Sequence, residues 1–361
     1  MDNPQLIFES LNSTGLDLSQ SDLIRNYLLM GLEQQHQKNL YNNYWYKMEQ
    51  IFGHENYQER FDRFMRDYLT IKLNRIPRFN EIYEEFKQYY KGLENTTQEI
   101  IQDIYCHSKL YMNIAFNKEN DDGLNEKFNE INILKVEVAY PFLLQVYYDY
   151  QDGNIDKKDF IEILDVVISY VFRRAICSIP TNSLNKTFST LMNEVDKDNY
   201  VESVKAALMS KETYRRFPED DEFYNELMNK DVYNFRNCKY LLTKLENAND
   251  FRTKEPIYMD NYTIEHIMPQ NPNLPEAWID QLGPNWKEVQ NHYLHTIGNL
   301  TLTAHNPELG DSTFKEKKEI FDKSPLYLNS DLREYDAWNK DSIINRSKTL
   351  ANKALEVWQY P

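Results

Sequence analysis

The chain has 361 residues, a net charge of −16, and 41% hydrophobic and 14% aromatic content, with 27 Tyr and 18 Phe. So many bulky rings can fill a sizeable core despite the low hydropathy, which excludes disorder along the whole length; the length suggests two domains, or one large domain with an appendage. Nine Gly and 13 Pro argue against a loop-rich β-sandwich, no glycine-rich phosphate motif occurs, and no uncharged apolar run reaches the roughly 18 residues that span a bilayer. The start, Met1-Asp2-Asn3-Pro4, lacks the basic and apolar regions of a signal peptide, so a cytoplasmic protein is expected. Cys106, Cys177 and Cys238 are odd in number and far apart, which fits neither a disulfide framework nor a zinc site. The acidic balance disfavours indiscriminate coating of DNA but leaves room for a small site with local positive charge and a metal.

The N-terminal portion reads as helical. Ile7 to Asn12 runs into Gly15, which predicts a helix closed by a left-handed glycine, and Ser19 offers an N-cap for a helix through Leu23, Ile24, Tyr27 and Leu28. Val136 to Tyr150 reads as a helix that Pro141 kinks or opens, and Asp152-Gly153-Asn154 as a turn. Phe160, Leu164, Val167, Ile168 and Val171, with Ile161, Ile163 and Phe172 on further faces, predict a helix buried on most sides. Phe235 to Leu245 predicts another helix, ending in the polar stretch Glu246 to Asp250. Then the texture changes. Tyr262-Thr263-Ile264 and Asn299 to Thr303 have strand character, with a proline- and tryptophan-bearing insertion from Asn271 to Tyr293 that is expected to pack. Ser312 is positioned to cap a helix through Phe314, Lys318 and Phe321, and Trp338 to Trp358 again has helical spacing.

His266, His292, His295 and His305 cluster in this one β-containing stretch. A ββα hairpin can bring Glu265, His266 and Asn306 to one face only if the first strand ends or bulges at His266, because adjacent strand residues point to opposite sides. Carboxylate and amide oxygens suit Mg²⁺ or Mn²⁺, and a neutral imidazole beside them can accept a proton. Phosphodiester hydrolysis uses both parts.

The run Glu265-His266-x-x-Pro269, Gly298-Asn299-Leu300, Asn306 and Lys315-x-Lys317-Lys318 resembles the HNH (His-Me finger) nuclease domain of GmrSD-type restriction proteins. The resemblance implies that His266 is the general base, that Asn299 orients the histidine-bearing loop, and that Glu265 and Asn306 hold Mg²⁺ or Mn²⁺. Where other HNH proteins carry Asp before the histidine, this chain carries Glu265. Upstream, Phe8-Glu9-Ser10-Leu11-Asn12-Ser13-x-Gly15, Arg173-Arg174 with Thr181-Asn182, and Tyr240-Leu241-Leu242-x-x-Leu245-Glu246 resemble the same proteins. Their Asp-Gly-Gln-Arg nucleotide motif does not occur, so nucleotide hydrolysis is not expected of this chain.

The expected fold class is therefore mainly α, with a small C-terminal ββα-metal motif embedded in helices. Residues 1–205 are expected to form a helical domain resembling the downstream part of the GmrS-like region. Residues 206–361 are expected to form the GmrD-like nuclease domain, its ββα core at about 260–323. His295 either touches phosphate or hydrogen-bonds within the hairpin; Lys315, Lys317 and Lys318 either grip DNA phosphate or form a solvated helix face. Arg173-Arg174 is either a phosphate contact or the answer to a helix C-terminal dipole. His292 and His305 read as structural or solvent-exposed. A metalloprotease would need H-E-x-x-H, which is absent. The expectation is a metal-dependent DNA endonuclease of a phage-defence system acting on DNA, modified or not. No membrane is expected as a partner. A homo-oligomer and a separate nucleotide-hydrolysing partner are both compatible with the sequence. The rival is a catalytically silent DNA- or protein-binding scaffold.

Overall fold

The computed structural model describes residues 18–53, 57–248, 258–304 and 309–361. The expected helix from Ile7 and its closure at Gly15 lie outside them. Contacts divide the chain into two units, one drawn from Met1–Asp165 and Thr181–Arg216, the other from Val166–Pro180 and Phe217–Pro361. The sequence reading set the junction at 205/206; the contacts set it at 216/217 and assign 166–180 to the second unit. The physical cause is the packing of that segment: Phe172 stacks on Trp358 with ring centroids 4.2 Å apart, and Arg173 Nε donates to the Trp358 carbonyl at 2.6 Å.

In the first unit, helix α1 (Gln20–Leu29) starts where expected, with the Ser19 side chain accepting from the Asp22 N–H. Asp62, on α2 (Tyr57–Leu73), accepts from the Gln20 and Ser21 N–H groups at 3.2 and 2.7 Å, so a buried carboxylate answers the positive end of α1. Phe61, Phe64 and Tyr68 of α2 pack with Trp45, Phe52 and Tyr111, the last on α3 (Thr97–Phe116). The aromatic surplus of the composition goes into this core. Pro141 stands in the first turn of α4 (Tyr140–Gln151), where its missing N–H costs nothing, so it starts a helix instead of kinking one. Glu137–Ala139 before it form a separate 3₁₀ turn. The apolar run from Phe160 lies on α5 (Lys157–Ile176), as expected; the helix begins in the first unit, and its residues from Val166 on belong to the second.

The second unit contains α6 (Asp220–Asn229), α7 (Cys238–Asn247), β1 (Thr263–His266), α8 (Glu276–Leu282), α9 (Trp286–Tyr293), β2 (Leu300–Thr303), α10 (Phe314–Phe321), α11 (Tyr327–Ser330) and α12 (Lys340–Val357). β1 and β2 pair antiparallel, Thr263 opposite Thr303 and His266 opposite Leu300, and form the single sheet among the described residues. The insertion folds as α8 and α9, with Trp278 buried in a cluster that includes Ile267, Met268, Phe314, Trp338 and Ile343. The cap of α10 is Thr313, not Ser312: its side chain accepts from the Glu316 N–H while Glu316 reaches back to the Thr313 N–H. Glu246, the first residue of the polar stretch, is buried and accepts from the Tyr327 and Leu328 N–H groups at the start of α11.

Arg346, buried on α12, donates to the carbonyls of Gly298, Leu300 and Leu328 and so ties α12 to the start of β2. At Gly298 the approach leaves no room for a side chain, since a Cβ would overlap the Ile343 carbonyl oxygen and Ser347 Oγ. Gly298→Ala must push a helix backbone away, so it is expected to lower stability by about 3 kcal/mol, read as a shift of the urea midpoint.

None of the three cysteines is in a disulfide. Among the described residues no helix is long and apolar enough to cross a membrane.

Candidate active site

The site lies within the second unit and is built outward from the end of β1. His266 is the last residue of that strand, and the chain beyond it is held by one side chain. Asn299 Oδ1 accepts from the Met268 N–H at 2.8 Å, and Asn299 Nδ2 donates to the Met268 and Leu294 carbonyls at 3.1 and 2.9 Å. The indole N–H of Trp338 donates to the same Oδ1 at 3.0 Å, and the Asn299 backbone carbonyl accepts from the Ile267 N–H at 2.9 Å. Asn299 is wholly buried, with both ends of its amide satisfied. It acts on the loop that follows His266.

The His266 ring is 3% exposed. Its Nε2 lies 3.0 Å from Nδ1 of His295, so the structure joins two histidines that are 29 residues apart. Tyr233 covers the pair, edge-on to His266 at 4.4 Å and stacked on His295 at 5.2 Å between ring centroids. The His295 carbonyl accepts from the Val232 N–H at 2.8 Å, which fixes the 231–235 segment over the rings. Burial lowers the His266 pKa to about 3; the fields of His295 and Lys317 act in the same direction, and Asp231 opposes them. Asp231 itself is held below the usual carboxylate range. Its partial burial pushes it up, but hydrogen bonds from Asn234 and the fields of His295 and His266 push it down further.

The Glu265 Oε1 accepts from Lys317 Nζ at 2.6 Å, and the same ammonium donates to the His266 carbonyl at 2.8 Å. Lys317 is fully buried, so it does not share an exposed, DNA-facing surface with Lys315. Lys318 donates to the Tyr335 carbonyl at 2.9 Å and is half-buried, whereas Lys315 is exposed. Burial raises the Glu265 carboxyl and lowers the Lys317 ammonium, each partner's charge opposing the shift of the other.

Arg173 is equally withdrawn from any phosphate: it is buried and donates to the Trp358 and Pro218 carbonyls and to Asp220. Its neighbour Arg174 donates to the Pro180 carbonyl. Both tie the second unit together. His292 is exposed. His305 and Asn306 lie outside the described residues.

A divalent cation needs several hard oxygen ligands. Among the described residues no group of three His, Cys, Asp or Glu side chains could hold a metal, and Glu265 already carries an ammonium. The described residues, as arranged, do not fit a divalent cation.

Tyr233, Asp231 and Trp338 were not picked out from the sequence. Their only sequence signal is weak: Trp338 is an indole that must find an acceptor if buried.

No curated protein matches the chain. Residues 217–353 match the family model described as GmrSD restriction endonucleases, C-terminal domain. The match starts where the second unit resumes after Arg216 and spans every residue from Asp231 to Arg346 discussed above. Over residues 217–353 the chain is thus similar to the C-terminal domain of GmrSD restriction endonucleases.

Proposed function

We infer that this domain is an HNH-type DNA endonuclease in which His266 takes the proton from the attacking water and β1, β2 and α10 form the nuclease finger. The observation that carries the reading is the His266–His295 contact at the end of β1. If His295 Nδ1 accepts, the proton of His266 sits on Nε2 and its Nδ1 is left with a free lone pair, the tautomer a general base requires. A depressed pKa keeps that ring neutral at physiological pH. Once His266 has gained a proton, its Nε2–H still donates to His295, so the cation formed during the reaction keeps a partner. His295 is thus a positioning residue for the base, and Asn299 positions the loop on which the base stands.

The test is nicking of supercoiled plasmid, modified and unmodified, by the purified full chain, with and without EDTA. Conversion to open circle is expected; an untouched plasmid under all conditions removes the nuclease reading. The chelator arm tests for a Mg²⁺ or Mn²⁺ requirement, for which Glu265 and Asn306 are the candidate ligands.

The ion pair between Glu265 and Lys317 is the one observation that favours a second reading, a silent DNA- or protein-binding scaffold, and the same assay decides between them. We place the helical region upstream, over residues 1–205, with the downstream part of the GmrS-like region, and expect calorimetry to find no tight binding of GTP or ATP.

A further inference from the structure

The Lys317 ammonium makes its two bonds to a carboxylate oxygen of Glu265 and to the backbone carbonyl of His266, at 2.6 and 2.8 Å, and has no exposed surface. Carboxylate and carbonyl oxygens are the ligands a hard divalent cation takes. The same two oxygens flank the histidine read above as the base. The helix that brings the lysine is fixed in place by its own sequence. Phe314, Lys317 and Phe321 stand at i, i+3 and i+7 of α10, and all three are buried, so the inward stripe of the helix delivers a charge to the strand end.

We propose that Lys317 is the resident cation of this site: its ammonium occupies the place at Glu265 that a divalent ion would take, so metal binds there only when Lys317 leaves. The proposal rests on the reading of Glu265 as a candidate ligand. It is tested without DNA, so its failure is separate from a failure of the plasmid assay. Two positive charges cannot share one carboxylate and one carbonyl at bonding distance without strong mutual repulsion. Removing the ammonium therefore opens the site, whereas a lysine that served only packing would leave metal affinity unchanged or lower it.

Mn²⁺ binding to the full-length protein, followed by the electron paramagnetic resonance signal of the free ion, reads this directly. K317M is expected to bind Mn²⁺ about tenfold or more tightly than wild type. K317R keeps the charge and is expected to bind as wild type does. The E265Q/K317M double variant is expected to lose the gain. A K317M affinity equal to or below that of wild type, or no binding by either protein, overturns the proposal. A second measurement needs no variant: mass spectrometry of Lys317 acylation by acetic anhydride, with and without saturating Mn²⁺. Displacement from Glu265 exposes the amine, so Mn²⁺ is expected to raise the acylation of Lys317 several-fold while that of Lys315 stays constant. Equal Lys317 acylation in both samples overturns the proposal even if K317M fails to fold.

Discussion

His266→Ala is expected to lower DNA cleavage by about 10²–10⁴-fold, the usual contribution of a positioned general base. Although the residue ends a strand, the structure leaves it only 3% exposed. Truncation therefore removes buried contacts and leaves His295 Nδ1 without its partner, at about 1–3 kcal/mol. His266→Gln keeps most of the volume and a hydrogen-bonding group, and it is expected to fold as wild type while remaining inactive. Equal cleavage by His266→Gln and wild type would move the base elsewhere.

The pH dependence follows from the same burial. The unfolded chain takes up the imidazole proton near the ordinary value of about 6.5, while burial holds the folded site to about 3. Above about pH 6.5 neither state is protonated and the group leaves stability unchanged. Below it the unfolded state binds more protons, so stability falls as the pH falls, down to about 3. His266→Gln lacks this linkage, so its acid unfolding midpoint is expected at lower pH than that of wild type. A common midpoint, measured by far-ultraviolet circular dichroism, would place a proton on His266 in the folded state.

Asn299→Ala is expected to have the largest effect on stability, about 3–5 kcal/mol. The alanine leaves two buried donors, the Met268 N–H and the Trp338 indole, and two buried carbonyls, of Met268 and Leu294, without their partner. The resemblance gives this residue the role of orienting the histidine-bearing loop. Its wider role comes from Trp338, 39 residues further along the chain. Asn299→Asp separates the two halves of the amide: a carboxylate can still accept from Met268 and Trp338 but cannot donate to the carbonyls. It is expected to be nearly as damaging as alanine, because oxygen then faces oxygen at two places. An unfolding free energy from urea titration within about 0.5 kcal/mol of wild type for Asn299→Ala would show that water replaces the amide.

The parts of the fold that could be read in advance are those set by neighbours in sequence. Ser19 caps α1 because its oxygen needs only the N–H three residues on, and the apolar run from Phe160 predicts α5 because helical periodicity is local. The strands were found from β-branched alternation, with the register left to be discovered. Lys317 shows how a local pattern can be read wrongly. Three lysines within four positions look like a basic patch, yet Lys317 shares the buried stripe of Phe314 and Phe321, and that spacing was the better guide.

The sequence by itself determined the helical character of the chain, the position of the short strands, and the candidates Glu265 and His266, because residue type and spacing carry that information; Asn299 became a candidate through the family resemblance. Tertiary structure decided what each of them touches. His266 meets His295, Glu265 of β1 meets Lys317 of α10, and Asn299 meets Trp338, all pairings between residues 29 or more positions apart. Such pairings are selected by burial: a polar group excluded from water must find a partner, and which partner is within reach depends on how helices and strands pack, not on the order of residues along the chain.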